Sequence, residues 1–164
     1  MSINAILQEF ETEAATTRRV LERVPSDKLA WKPHAKSMSL GTLAMHVATL
    51  PGFISSWPLK DTFEFSGDPT PAPASTAEIL AVHDKGVATT KENLGRLGDA
   101  GLSKMWTATA GGKTLMTMPK GALVRAIMLN HVYHHRGQLS VYLRLLDVPV
   151  PSIYGPSADE NPFR

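Results

Sequence analysis

One stretch constrains the fold more than any other. Residues 120–146 run without a proline and are closed by Asp147-Val148-Pro149. An unbroken run of that length with apolar positions at three- and four-residue steps predicts a long helix. Three further stretches have the same character. Residues 3–24 are capped by Ser2, stopped by Pro25, and repeat Ile6, Leu7, Phe10, Ala14, Thr17, Leu21 and Val24. Ser39 caps a second helix running to Trp57, which Pro51 should bend or end near Leu50, because its ring removes a donor and crowds the carbonyl four residues back. A third helix fits Thr76 to about Leu97, started by Ser75 or Thr76 and ended by Gly98.

The remaining segments read differently. Residues 58–74 hold four prolines and predict a long surface loop. Residues 105–118 place two Thr-rich runs around Gly111-Gly112, the pattern of a small hairpin. The proline-rich tail after Asp147 cannot be helix and is expected to be extended. The sum is an all-α, antiparallel four-helix bundle formed by one domain over residues 1–164, with a hairpin inserted before the last helix.

Composition narrows the function classes. Seventeen basic against fifteen acidic residues leave a net charge of +2, spread along the chain without a basic run. That argues against a nucleic-acid partner. No apolar stretch approaches the ~20 residues needed to span a bilayer, and the N-terminus has no signal-peptide pattern, so no membrane partner and a cytoplasmic location are expected. Cysteine is absent, which removes disulfides, thiolate metal sites and cysteine nucleophiles together. A metal, if held, is held by nitrogen and oxygen.

The nitrogen is concentrated in the last helix, at His131, His134 and His135. With Leu123 at zero on a wheel of about 100° per residue, Ile127, Gln138, His131, Tyr142 and His135 fall at about 40°, 60°, 80°, 100° and 120°. Together with Leu145 they define the inward face; His134 lies at its edge. Two imidazoles one turn apart can reach one ion. Zinc-like metals want three or four protein ligands, and the second helix offers another. His46 lies on the stripe Leu43, His46, Leu50 and Ile54, which a bundle could pack against the His131–His135 face. The alternative for each histidine is a core imidazole satisfied by protein hydrogen bonds. No His-Glu-x-x-His pattern is present, against a zincin-type protease. His34 is expected in solvent and His83 on the surface of the third helix. Met105, Met116 and Met118 are expected to fill gaps rather than bind copper. Gly112-Lys113-Thr114 lacks the context of a phosphate loop. Asp159 and Glu160 could pair with Arg136 or Arg144, though tail acids are commonly just solvated.

These segments also resemble a known family. Trp31-Lys32-Pro33 with Ser39 to Val47, Asn130 to Leu139, and Tyr142 to Leu145 continuing through Val148-Pro149 to Tyr154-Gly155-Pro156-Ser157-Ala158-Asp159-Glu160 are similar to the DinB/YfiT-like metalloenzyme superfamily. The resemblance covers essentially the whole chain. It implies a four-helix bundle, a homodimer, and a divalent metal (nickel, zinc or iron) held by His46, His131 and His135. It further implies a small-molecule substrate. Relatives include bacillithiol transferases and mycothiol-dependent maleylpyruvate isomerases, so a thiol-dependent S-transferase using a low-molecular-weight thiol is the first expectation. The family is named for damage induction in bacteria, not for DNA binding. A metal-dependent hydrolase and a non-catalytic metal- or ligand-binding dimer are the alternatives.

The residues around the histidines add detail. Gly137 is expected to admit a neighbouring helix closely. Gln138 faces inward, to hold a metal-bound water or orient a ligand ring. Arg136, at about 220° on the wheel, is expected to project outward into an ion pair with a neighbouring helix. Tyr133, Tyr142 and Trp57 are candidates for shaping the cleft.

Overall fold

The structure is a computed structural model that describes residues 2–65, 67 and 72–163. Helix α1 (Ile3–Leu21) is opened by Ser2, whose hydroxyl accepts from the Ala5 amide, and buries Ile3, Ile6, Phe10, Ala14 and Thr17 along one stripe. It ends a turn earlier than expected. Helix α2 (Leu40–Ile54) is capped by Ser39. Pro51 neither ends nor stops it: the helix carries the proline inside and continues to Ile54. The last turn is held from outside. Leu50, Pro51 and Ile54 are buried, and a Cβ added to Gly52 would lie 2.9 Å from the Cα of Gly86 in the third helix. This glycine pair lets two backbones touch, and the packing it permits offsets the ~3 kcal/mol that an internal proline costs. The close approach expected at Gly137 is not there, since a Cβ at that position meets nothing within 4 Å.

Helix α3 (Thr76–Leu102) begins at Ser75, which caps the Glu78 amide, while the Glu78 carboxylate reaches back to the Ala74 amide. Its helical backbone breaks at Gly98 (φ 58°, ψ 176°), where the sequence places an end, but resumes for another turn. Strands β2 (Met105–Ala110) and β3 (Lys113–Pro119) form the predicted antiparallel hairpin. Gly111 and Gly112 take φ of 55° and 74°, a turn that residues with side chains rarely adopt. Of the three methionines expected to fill gaps, Met118 is partly buried against the core, whereas Met105 and Met116 are exposed.

The all-α expectation needs correcting. Strand β1 (Thr62–Glu64) pairs in parallel with β2, which makes a three-stranded sheet of order β1-β2-β3. It lies in the segment expected to be loop throughout; residues 66 and 68–71 of that segment fall outside the described residues. Thr62-Phe63-Glu64-Phe65 alternates polar and apolar side chains, which is a strand signal, but the surrounding prolines mask it. The molecule is therefore mostly helical with a small mixed sheet.

The last helical rod has three parts. Helix α4 (Lys120–Ala122) passes into a π-helical stretch, Leu123–Leu129, and then into α5 (Asn130–Leu145). Asp147 ends it with φ 55°. The wide π turn shifts the phase of everything that follows relative to Leu123. That explains three departures: Leu145 and Gln138, expected inward, are exposed, and Arg136, expected outward, is buried. Helix α2 packs on α3 and α5, and α1 packs on α3. Two apolar clusters fill the interior, one around Phe10, Trp57, Trp106 and Met128, the other around Leu21, Leu43, Ile79 and Leu143. Helix α2 crosses from the second to the first between Ala48 and Leu50, and α5 crosses back between Val132 and Leu139. The histidines sit on both helices at this changeover. No helix among the described residues is long and apolar enough to cross a membrane.

Candidate metal centre

Within α5 the backbone is regular, so His131 and His135 stack one turn apart, with ring centroids 4.6 Å apart. His46 comes across from α2, its ring centroid 5.4 Å from that of His131 and 4.6 Å from that of His135. One ring nitrogen from each of the three lies within 4.8 Å of the others. All three rings are partly buried. The structure thus brings together the three residues singled out by sequence and leaves His134 exposed beside them, its ring 4.8 Å from that of His135.

Two observations test whether this donor set suits a cation. The first is protonation. Burial, and then the mutual repulsion of the rings, pushes the His46 imidazole down to about 4. Burial and neighbouring histidines also hold His131 and His135 below the usual histidine range. All three are neutral at physiological pH, the form that ligates metals. The second is orientation. His135 Nδ1 is 2.7 Å from the side-chain oxygen of Gln138. A ligating imidazole characteristically donates its second N–H to such an acceptor, which fixes the tautomer and turns the other nitrogen to the ion. The residues present fit a divalent ion, and Gln138 takes the ring-orienting of its two expected roles.

Beside the histidines lies a cleft of about 250 Å³, lined by His46 and His131 together with Phe53, Trp57, Phe63 and Phe65. Of the three aromatic residues expected to shape it, only Trp57 does. The Tyr133 hydroxyl instead donates to Glu9 (3.0 Å), and Tyr142 packs edge-on against Trp31, with centroids 5.7 Å apart. Phe63 comes from β1 and Phe65 directly follows it, so neither is placed by the sequence. Their proximity to Phe53 and Trp57 is a tertiary fact.

The other expected positions divide. His34 is exposed in its loop, as expected. His83 is 2 % exposed, not on the surface. It borders a small interior void with Phe10, Pro51 and Met128, and burial depresses its pKa despite Asp84 at 3.4 Å. Arg136 does form the expected ion pair, with Glu13 of α1 at 2.6 Å, but from inside the molecule. The tail acids are pinned: Asp159 pairs with Arg144 and accepts from the Val150 amide (2.8 Å), and Glu160 pairs with Arg19 and accepts from the Ser152 amide (3.1 Å).

Comparison with known proteins agrees with this fold. A crystal structure of a DinB-like protein from Bacillus cereus ATCC 10987 superposes with a TM-score of 0.74 at 26 % identity, covering 93 % of this chain and 98 % of that one. A DinB-like protein from Bacillus subtilis, YjoA, superposes with a TM-score of 0.68 at 20 % identity, over 88 % of this chain and 95 % of that one, a likeness of fold. The uncharacterized protein YrdA of Bacillus subtilis is 27 % identical over 97 % of this chain and 92 % of its own length. A sequence model of the DinB family matches residues 1–162, so the chain belongs to the DinB family.

Proposed function

We propose that the chain holds a divalent metal ion through His46, His131 and His135 and transfers a low-molecular-weight thiol to an electrophilic substrate. The observation that carries this reading is the convergence of three neutral imidazoles from two helices beside a cleft large enough for a small molecule. A histidine-bound divalent ion lowers the pKa of a coordinated thiol or water and so supplies a nucleophile near neutral pH. The rest of the chemistry falls to the protein. Gln138 holds the His135 ring in place. The aromatic lining of the cleft holds the electrophile and keeps water from it. The sulfur comes from outside, since the chain has no cysteine. In the transfer a carbon–sulfur bond forms, the bond from that carbon to its leaving group breaks with its electron pair, and the thiol proton passes to solvent.

Protein purified without an affinity tag, loaded in turn with nickel, zinc and iron(II), tests the reading. A panel of small thiols is offered with 1-chloro-2,4-dinitrobenzene as acceptor. Thiol consumption above background, lost in His131→Ala, is the expected result. Stoichiometric metal with no turnover across thiols and electrophiles would leave a binding protein instead, and turnover of esters without thiol would leave a hydrolase.

A further inference from the structure

The geometry points to a substrate class for this cleft: a flat, uncharged, ring-bearing electrophile of one or two rings, held in an aromatic cage with its reacting atom toward His46 and His131. This deepens the proposed transfer reaction and rests on it for the word substrate; the binding itself does not. The cage has a defined geometry. Trp57 and Phe63 stack at 4.3 Å and 21°. Phe53 and Phe65 both stand edge-on to that stack, at 6.1 Å and 5.1 Å from Phe63 with interplanar angles of 83°. An added ring meets edges and faces at the separations aromatic pairs prefer.

Size, polarity and exposure agree. An apolar cavity of ~150 Å³ accommodates benzene, and this cleft offers about 250 Å³. Apart from the two histidines and the indole N–H of Trp57, Thr49 is the one polar side chain among its described lining residues. Its hydroxyl is committed to the Met45 and His46 carbonyls at 3.0 and 3.1 Å. None of those lining residues carries a charge that would pair with a carboxylate or an ammonium group. Behind the cage Trp106 stacks on Trp57 at 5.9 Å and 3°. Phe53 is nonetheless 56 % exposed and Phe65 37 %. Apolar rings left facing solvent at the mouth of a cleft have area to lose to a ligand.

The test uses the whole chain freed of metal, so that it succeeds or fails independently of metal chemistry. Binding of 4-fluorobenzyl alcohol and of 4-fluorobenzoate is followed by fluorine NMR, in wild type, Phe53→Ala and Phe65→Ala. Both phenylalanines are partly exposed, so the variants keep the fold, which circular dichroism confirms. Saturable binding of the neutral alcohol is expected, weakened about tenfold in each variant, with the benzoate at least about tenfold weaker in wild type. Absence of saturable binding to the alcohol, equal binding of the benzoate, or binding unchanged in both variants would overturn the assignment. Should the alcohol bind as expected while the protein takes up no metal, the cage stands and the transferase reading falls.

Discussion

The two faces of α5 handle buried polarity in opposite ways. On the side toward α1, Arg136 is 1 % exposed and every strong partner is protein: Glu13 at 2.6 Å, Thr17 Oγ1 at 3.1 Å, the Glu13 carbonyl at 3.2 Å and the Tyr154 hydroxyl. The Tyr133 and Tyr154 rings flank its guanidinium at 5.4 and 5.1 Å. On the side toward α2, three imidazoles crowd one another, and burial together with neighbouring histidines makes each harder to protonate. A buried charge satisfied from all sides is a structural fastener. Neutral donors gathered at an open cleft, with ring orientation already set, are ready for something that the protein does not itself supply. The contrast separates the part of α5 that holds the fold from the part that binds.

The largest expected difference is in stability. Arg136→Met leaves the Glu13 carboxylate without its guanidinium and should cost about 3–5 kcal/mol, read as a fall in the denaturant midpoint. His131→Ala in metal-free protein should cost about 1 kcal/mol or less, since the ring is partly exposed. Equal losses would erase the distinction between the two faces.

Acid should act on the imidazole side first. The folded pKa of His46 and His83 lies below the unfolded value near 6.5, so the unfolded chain binds more protons in that window. Stability of the metal-free protein is therefore fully present above pH 6.5 and falls as pH drops toward about 4, by about 1–2 kcal/mol for His46 alone, because solvent screens its half-buried ring. The paired acids behave separately. Glu9, Asp84 and Asp159 are held below the usual carboxylate range by Arg125, Arg18 and Arg144 in turn. Their contribution is kept above the unfolded carboxylate values and lost below them. Denaturation curves from pH 7 to 3 should show both stages; a flat profile down to pH 5 would contradict the first.

Gln138→Ala sharpens the comparison on the binding side. It should weaken metal affinity about 10- to 100-fold by releasing the His135 ring, with the melting temperature of the metal-free protein unchanged. Calorimetric metal titration checks it. The smallest effect is expected from Tyr154→Phe, which removes a hydroxyl bonded to Arg136 and to Glu13 (3.0 Å). Tyr154 is 71 % exposed, so about 1 kcal/mol is the expected loss, with metal affinity unaffected.

Much of this was legible along the chain. Ser2, Ser39 and Ser75 cap helices because their hydroxyls meet amides two or three residues on, a local matter. The His131–His135 spacing survives any change in the surrounding fold, since both lie within one regular helix. What escaped depended on distant chain. Pro51 stays helical because Gly52 finds Gly86 in another helix. The π turn from Leu123 to Leu129 rotates α5 against its own preceding residues, so a wheel drawn through it misplaces Arg136 and Leu145 while leaving the histidine pair intact. Strand β1 exists because β2 is there to pair with it, and the aromatic cage exists because β1 carries Phe63 to Trp57.

The central claim is that His46, His131 and His135 together hold one divalent ion. Metal content of untagged protein, by elemental analysis after gel filtration, tests it in wild type and in His46→Ala. About one ion per chain in wild type and none retained in His46→Ala is the predicted result. Wild-type protein that stays metal-free after exposure to nickel, zinc and iron(II), or a His46→Ala variant that keeps its full complement, would contradict it.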